Sequence, residues 1–250
     1  MKINFKDKKL LAFDLDGTLT LSKSKIKKKM KRLLLNLNNF YFIFIIGGGR
    51  KKEIERQIEE LRDYVFLGAV SGTRIYKKGK LILKEKNMTK KQIELIKRNL
   101  KFYLKSLKIN FKTFGRRIDF RGSQLTFSFL GIKAPLEEKL KFSKLDEKIK
   151  IRKKLIYYMR KRLKNIDSSI GGLTSVDFNL KNQNKGSMIL KLAKFLGIEK
   201  REILFFGDKI FPYGNDYSVF KKGIECILVK NPEETFKILK KIYGYFKNNN

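Results

Sequence analysis

The 250-residue chain contains no histidine, no tryptophan and a single cysteine. Without histidine it cannot form a Ser-His-Asp triad, a Cys-His pair or a zinc site built from imidazoles. Cys226 alone cannot supply a disulfide framework or a cysteine cluster. Any catalysis must therefore rely on carboxylates, lysine or hydroxyl groups.

Long apolar runs are also absent from the chain. The longest, such as residues 41–46, are far shorter than the roughly 20 residues that a membrane helix requires. The lysine-rich beginning, MKINFKDKKLLAF, lacks an apolar stretch with a small-residue cleavage site, so we predict no signal peptide. Because 42% of the residues are hydrophobic, the chain can bury a core, and we expect a soluble, cytoplasmic protein without a membrane partner.

Acidic residues are scarce, with 24 Asp and Glu against 60 Lys and Arg, which gives a formal net charge of +36. A dedicated nucleic-acid site is more often concentrated, rich in arginine and interleaved with exposed aromatic residues. Here the excess is mostly lysine and extends along the whole chain. We therefore interpret it as a solvated lysine surface and expect no nucleic-acid partner, with a functional polyanion-binding surface as the alternative.

The order of apolar runs and helical periodicities predicts an α/β fold. A strand, a loop and a helix follow one another twice near the start and return near the end, as in a doubly wound parallel sheet. The predicted strands are 10–15, 41–46, 201–208 and 223–229, and the predicted helices are 25–38, 51–61, 186–197 and 232–246.

The middle of the chain has a different pattern. After a predicted hairpin at Lys78-Gly79, helices are predicted over 88–107 and 148–164, with two strands around Gly122 and one strand over 169–180. We therefore predict a core domain formed by 1–85 and 183–250, with a separate α/β domain inserted at 86–182.

Two acidic clusters follow predicted strands. Asp14 and Asp16 lie in the run DLDGTLT, and Asp208 ends the run ILFFGD. In open α/β sheets ligands bind at the carboxyl ends of the strands. Carboxylates at i and i+2 can serve as nucleophile and acid/base, and oxygens from two strand ends suit Mg²⁺. Polar turns without a catalytic role are the alternative explanation for both clusters.

Three segments together resemble known motifs. DLDGTLT at 14–20, Lys185 at the start of a predicted helix and GDKIFPYGND at 207–216 resemble motifs one, three and four of the haloacid-dehalogenase superfamily. The GDxxxPxGND form and the inserted domain look most like the phosphomannomutase branch, over nearly the whole chain. This resemblance implies a Rossmann-like doubly wound core with an inserted α/β cap.

The resemblance also implies phosphoryl transfer through an aspartyl-phosphate. Asp14 would be the nucleophile, Asp16 the acid and base, and Lys185 would neutralise charge on the phosphoryl group. The implied Mg²⁺ ligands and their supporting residues are Asp14, the carbonyl of Asp16, Asp208, Asn215 and Asp216. The implied substrate-binding residues are Thr18, Gly48, Gly49, Arg121, Lys139, Ser175 and Asp177.

Some positions depart from the family pattern. The loop after the second strand normally supplies a hydroxyl, but here it has the sequence IGGGR at 46–50. Losing one such donor costs about 10²–10³-fold in rate, although backbone N–H groups of the glycines can still bind a phosphate oxygen. Lys23, Ile132 and Lys139 stand where the branch has phosphate-binding arginines, and neither lysine nor isoleucine offers the bidentate fork.

These features lead to one principal interpretation of function. It is a Mg²⁺-dependent, mutase-like enzyme that interconverts hexose 1- and 6-phosphates, mannose phosphate first among them. A sugar-phosphate phosphatase is the alternative, because the two activities share the catalytic residues. A polyanion-binding protein on a decayed enzyme fold is more remote. The expected partner is a small sugar phosphate, and a homodimer through the cap is compatible with the sequence.

Overall fold

The computed structural model describes residues 5–107 and 109–247. They form two compact units. The first contains the described residues up to Lys84, then Asn184–Pro212 and the chain from Asp216, and the second contains Glu85–Gln183 with Tyr213–Asn215. Within these described ranges, no helix has the length and apolar character needed to cross a membrane.

Strands and helices alternate along most of the chain. The strands are β1 (Leu10–Asp14), β2 (Phe42–Ile46), β3 (Phe66–Ala69), β4 (Arg74–Lys77), β5 (Lys80–Lys84), β6 (Ile118–Phe120), β7 (Gln124–Ser128), β8 (Ile166–Ile170), β9 (Ser175–Leu180), β10 (Ile203–Gly207) and β11 (Glu225–Leu228). The helices are α1 (Lys28–Leu37), α2 (Lys51–Ile58), α3 (Lys90–Ser106), α4 (Leu136–Ile149), α5 (Ile151–Arg162), α6 (Lys185–Phe195), α7 (Tyr217–Lys221) and α8 (Pro232–Lys247).

The first unit is built on a sheet with the strand order β11-β10-β1-β2-β3-β4-β5. The strands from β11 to β3 run parallel, and β4 and β5 complete the sheet as an antiparallel hairpin. Asp14 is in register with Ile46, and Phe13 with Phe206. The loops that follow β1, β2 and β10 therefore leave the sheet at the same edge, and the predicted doubly wound α/β fold is confirmed.

The continuous apolar run of β1 reflects burial on both faces of the sheet. Leu11 and Phe13 belong to a core shared with α1 and α8, whereas Leu10 and Ala12 belong to a core shared with α6. Successive side chains of a strand point to opposite faces, so a central parallel strand must be apolar at every position. This packing fixes the carboxyl end of β1, where Asp14 lies.

The second unit has an antiparallel sheet with the order β6-β7-β9-β8. One face is apolar and packs with residues of α3, α4 and α5 around Phe127 and Phe178. The opposite face is polar, because Thr126 of β7 is in register with Asp119 on β6 and with Asp177 on β9. The alternation of the strands thus separates a structural face from a face that carries chemical groups.

Three sequence predictions were wrong in detail. The helix expected over 148–164 is the shorter α5, because Lys150, in a left-handed conformation with φ 54°, separates it from α4, a helix that we did not predict. The single strand expected over 169–180 is the pair β8 and β9, which turns at Gly171-Gly172. The helix expected over 51–61 ends at Ile58, because Glu59 also has a positive φ of 55°.

Candidate active site

Lys185 lies at the centre of a buried ion cluster in the first unit. Its Nζ is 2.5 Å from Oδ1 of Asp14 and 2.6 Å from Oδ1 of Asp216. The lysine side chain is only 1% exposed, and both carboxylates are buried as well. The three groups come from the end of β1, the first residue of α6 and the residue preceding α7.

The sequence around Lys185 explains how its side chain is positioned. The side chain of Asn184 caps α6 by accepting a hydrogen bond from the Ser187 N–H at 3.1 Å. Gly186 allows the helix to start directly against the Ser218 carbonyl, which a Cβ at this position would strike. The segment Asn-Lys-Gly therefore fixes the lysine at the point where β1 ends.

The buried cluster contains more carboxylates than ammonium groups, and this excess shifts the pKa values of its members. Burial raises the pKa of Asp14, and repulsion from Asp208 adds to the effect while Lys185 opposes it. Burial also raises the pKa of Asp216, with Asp14 as the repelling neighbour. Burial opposes charge on Lys185, but the two carboxylates outweigh it and raise its pKa above the ordinary value. Lys185 therefore stays charged, and the carboxylates compete for it.

Asp208 completes an acidic group that could hold a metal ion. One carboxylate oxygen each from Asp14, Asp208 and Asp216 lie within 4.8 Å of one another. Oδ1 of Asp208 is buried and has no hydrogen-bond partner among the described residues. Gly17 has a φ of +94° and lies so close to the Asp208 carboxylate that a Cβ at residue 17 would overlap it. The DLDG turn thus needs glycine to admit this carboxylate.

A second lysine, which we did not predict, lies beside Asp208. Nζ of Lys209 donates to Oδ2 of Asp208 at 2.7 Å, and its backbone N–H donates to Oδ2 of Asp216 at 3.1 Å. Burial opposes its charge, but Asp208 and Asp14 raise its pKa. Its place directly after Asp208 in the sequence was the available signal, obscured by the abundance of lysine.

Asp16 is held apart from the buried cluster by hydrogen bonds of its own. Its Oδ1 accepts from the backbone N–H of Lys23 at 2.7 Å and from Nε2 of Gln57 at 2.9 Å. Gln57 lies on α2 and is buried. Sequence reasoning missed Gln57, because nothing in the chain links this glutamine to a carboxylate 41 positions earlier.

The loop after β2 lies at the same sheet edge. The carbonyls of Gly47 and Gly49 accept hydrogen bonds from the N–H groups of Ser71 and Val70 at 2.8 Å each. A Cβ at Gly48 would meet nothing within 4 Å, whereas a Cβ at Gly49 would lie 3.0 Å from the Glu53 carboxylate. The loop therefore has room for a side chain at residue 48.

Thr18 is the predicted substrate-binding residue nearest to Asp14 and Asp16 in the chain. Its side chain is fully buried, and its hydroxyl has no hydrogen-bond partner among the described residues. A buried hydroxyl without a partner is unfavourable by about 1–3 kcal/mol, so a ligand oxygen or a water molecule would stabilise it.

The second unit brings together three of the other predicted residues on the polar face of its sheet. Arg121 donates from Nε to Oδ2 of the buried Asp119 at 2.9 Å. Thr126 donates to Oδ1 of Asp177 at 2.7 Å, and Ser175 accepts from the Gly172 N–H at 2.9 Å. These side chains offer a guanidinium and several oxygens side by side.

The two remaining predicted residues lie on other segments of the chain. Lys139 lies in the first turn of α4, where its backbone N–H donates to the Pro135 carbonyl at 3.1 Å. Asn215 belongs with Tyr213 and Gly214 to the second unit, although Asp216, the next residue, belongs to the first. The acidic group in the first unit consists of Asp14, Asp208 and Asp216.

The first unit is a doubly wound sheet whose strands β1 and β10 lead into acidic side chains, and α6, the helix before β10, brings a buried lysine to them. These features define a class of enzymes. The class is the haloacid-dehalogenase superfamily. The N-terminally truncated IMP-nucleotidase of Plasmodium falciparum has this fold, with a TM-score of 0.69 at 17% identity, and the match covers 95% of this chain and 71% of that chain.

Similarity in sequence is more specific. A family model described as eukaryotic phosphomannomutase matches residues 30–245. The phosphomannomutase of Encephalitozoon cuniculi (strain GB-M1) is 34% identical over 241 residues, which cover 92% of this chain and 92% of that protein. Phosphomannomutase 1 of Homo sapiens is 32% identical over 226 residues, covering 86% and 84%. The chain belongs to the eukaryotic phosphomannomutase family and is a phosphomannomutase-like phosphotransferase.

Proposed function

We propose that the enzyme interconverts hexose 1- and 6-phosphates through an aspartyl-phosphate on Asp14, with mannose phosphate as its first candidate substrate. The observation that carries this proposal is the ammonium group of Lys185, 2.5 Å from the Asp14 carboxylate at the carboxyl end of β1. A carboxylate fixed beside a buried cation is suited to attack a phosphoryl group, because phosphoryl transfer depends on positioning and charge neutralisation.

The transfer takes place in two balanced steps. Asp14 attacks phosphorus, the bond from phosphorus to the sugar oxygen breaks, and Asp16 gives that oxygen a proton. An acceptor hydroxyl then attacks the same phosphorus while Asp16 takes the hydroxyl proton, and Asp14 is released as a carboxylate. Lys185 neutralises charge on the phosphoryl oxygens in both steps.

The acidic group fits a magnesium ion. Oxygen ligands from Asp14, Asp208 and Asp216 would hold it, with the backbone carbonyl of Asp16 as a further ligand. The unpartnered Oδ1 of Asp208 supports this assignment, because a bound cation would satisfy that buried oxygen. When bound, Mg²⁺ supplies positive charge that stabilises the transferring phosphoryl group.

The polar face in the second unit is proposed to bind the sugar phosphate. Arg121 would bind a phosphate, and Ser175 and Asp177 would bind sugar hydroxyls, with Lys139 as an additional cation. In this scheme the second unit serves as the cap and the first as the catalytic core. Gly48, Gly49 and Thr18 would contact the phosphoryl group being transferred.

A phosphatase activity is the second candidate, and two features of the sequence favour it. The loop after β2 has no hydroxyl, and arginines that would hold the second end of a bisphosphate are replaced by Lys23, Ile132 and Lys139. A mutase must bind a bisphosphate in two orientations, whereas a phosphatase holds one phosphate and lets water accept it.

Phosphorus NMR distinguishes the two activities. Purified protein with Mg²⁺ is followed over time on mannose 1-phosphate, with and without a hexose 1,6-bisphosphate, beside the Asp14→Asn variant. A 6-phosphate that depends on the bisphosphate indicates the mutase, and free phosphate indicates the phosphatase. If wild type and Asp14→Asn yield the same products at the same rates, the proposed role of Asp14 is wrong.

Assembly and surface charge complete the proposal. We propose a homodimer through the second unit, because Leu136 and Leu140 lie one turn apart on α4 and are 63% and 47% exposed. Light scattering on wild type and Leu140→Glu tests it, and a monomeric wild type would contradict it.

We also propose a cytoplasmic location and a lysine surface without a nucleic-acid partner. RNA retention that persists above about 0.15 M salt would contradict the latter.

A further inference from the structure

The side chain of Gln57 connects α2 to the loop that carries Asp16. Its Nε2 lies 2.9 Å from Oδ1 of Asp16, 3.3 Å from the carbonyl of Ser24 and 3.4 Å from the hydroxyl of Thr20. The backbone carbonyl of Gln57 accepts from the Ile26 N–H at 2.8 Å. Gln57 therefore holds the loop at both ends, close to Asp16 and close to Ile26.

The surroundings determine which way the amide faces. The carboxylate of Asp16 and the carbonyl of Ser24 can only accept hydrogen bonds, so the NH₂ group must face them. This orientation places a buried donor on Asp16, since Gln57 is only 6% exposed. A hydrogen bond from a buried donor to a carboxylate is stronger and more directional than one between neutral groups in water.

Both donors to Asp16 act on the same oxygen. Gln57 and the Lys23 N–H donate to Oδ1, and no described residue donates to Oδ2. Lys23 adopts a left-handed conformation, with φ 60°, at the position where its N–H meets this oxygen. An oxygen that already accepts two hydrogen bonds is a poor place for a proton. A proton carried by Asp16 therefore resides on Oδ2.

We propose that Gln57 is the positioning residue of Asp16. It fixes Oδ1 as an acceptor and so presents Oδ2 as the oxygen that gives a proton to the leaving sugar oxygen and takes one from the acceptor hydroxyl. This role rests on the proposed function, in which Asp16 is the acid and base. Gln57 does not touch the reacting atoms, and its effect on the rate is transmitted through Asp16.

A double-mutant cycle with Asp16 tests the role. Gln57→Met keeps the length of the side chain and removes the donor. We expect it to lower kcat on the sugar phosphate by about 10- to 100-fold, part of the roughly 10²–10⁴-fold that acid–base catalysis supplies. KM should change less than about threefold. In the Asp16→Asn background the same substitution should change the rate less than about twofold, because no proton transfer is left to position.

Two further variants separate positioning from folding. Arg56→Met introduces the same residue on the exposed side of α2 and should leave kcat unchanged. Gln57→Glu keeps the shape of the side chain but places an acceptor against Oδ1, so kcat should fall at least as far as in Gln57→Met. Thermal unfolding of each variant shows whether the fold persists, and the Glu variant decides the outcome if the Met variant does not fold.

The possible failures are distinguishable. If wild type transfers no phosphate, or if Asp16→Asn retains the full rate, the proposed function fails. If those two controls behave as expected and Gln57→Met keeps the wild-type kcat, only the role of Gln57 is overturned. An equal loss in both backgrounds would likewise overturn it, because it would indicate a structural role that does not act through Asp16.

Discussion

Replacing Lys185 by methionine tests the ion cluster most directly. The substitution keeps the length of the side chain and removes a single charge. Asp14 and Asp216 are then left facing each other in a buried site without the ammonium group that joins them. The expected consequences are a large loss of stability and a loss of phosphoryl transfer.

The magnitude follows from the burial of all three groups. Removing one partner of a buried ion pair destabilises a protein by about 3–5 kcal/mol, because the remaining charge has no compensation. Two carboxylates lose the same cation here, so we expect the upper part of that range. For a chain of this size, the melting temperature should fall by about 8–20 °C. The rate of phosphoryl transfer should fall by about 10²–10³-fold.

The loss should depend on pH in a defined direction. The pKa values of Asp14 and Asp216 are raised by burial above the ordinary value of 3.8. A carboxyl with a raised folded-state pKa contributes stability that is present at low pH and lost as pH rises through that pKa. Removing the ammonium raises both pKa values further. The difference between Lys185→Met and wild type should therefore shrink as pH falls from 7 toward about 4.

Denaturant and thermal unfolding, followed by circular dichroism, measure these effects. The double variant Lys185→Met/Asp216→Asn removes one of the two unpaired charges and the repulsion between them, and it should regain about 1 kcal/mol over the single variant. Arg152→Met provides a matched control, because it breaks the buried Arg152–Asp146 pair of the second unit, joined at 2.7 Å. A Lys185→Met protein as stable as wild type at pH 7, or strictly additive losses in the double variant, would refute the electrostatic account.

Three further predictions concern single positions. Gly48→Ser should raise the rate of phosphoryl transfer by up to about 10²-fold, because the serine side chain has room at this position and restores a hydroxyl. Gly48→Ala, the control, should not raise the rate. If Gly48→Ser and the wild type transfer phosphate at the same rate, backbone donors suffice. Gly17→Ala should weaken Mg²⁺ binding in calorimetry, because its Cβ overlaps the Asp208 carboxylate, and unchanged affinity would contradict this. Partial burial, with Asp216 and Glu225, raises the pKa of Cys226 to about 12, so it should react with iodoacetamide about 10³-fold more slowly at pH 8 than an unperturbed thiol. A reaction as fast as that of an unperturbed thiol would contradict the raised pKa.

Periodicity predicted the first unit well because its strands are buried on both faces. Short continuous apolar runs such as residues 42–46, ended by glycines, favour a buried parallel strand, and the sheet edge where they end follows from the topology. The second unit was predicted less well. The start of α5 depends on the left-handed Lys150, and the β8–β9 turn on Gly171-Gly172, neither of which alters the hydrophobic pattern enough to be seen.

The site shows the same division between local and distant information. Asp14, Asp16 and Asp208 were found because each lies in a short run next to a strand end. Gln57 depends on a contact between elements distant in the chain, which residue spacing does not encode, whereas Lys209 adjoins Asp208 but was obscured by the abundance of lysine. Buried polar groups whose partners come from other elements can be identified only after folding has brought those elements together.

The net charge of the ion cluster around Lys185 leads to a prediction about the order in which a divalent cation and phosphate bind. Asp14, Asp208 and Asp216 carry more negative charge than Lys185 and Lys209 compensate. A phosphate dianion meets net repulsion there until a divalent cation has entered, and by thermodynamic reciprocity phosphate must then strengthen the binding of the cation by the same factor. Calorimetric titration of inorganic phosphate into wild-type protein, with and without Mg²⁺ at matched ionic strength, should show about 10-fold or greater tightening with the metal. Equal phosphate affinities would mean that the surrounding lysines, and not a metal ion, neutralise the site.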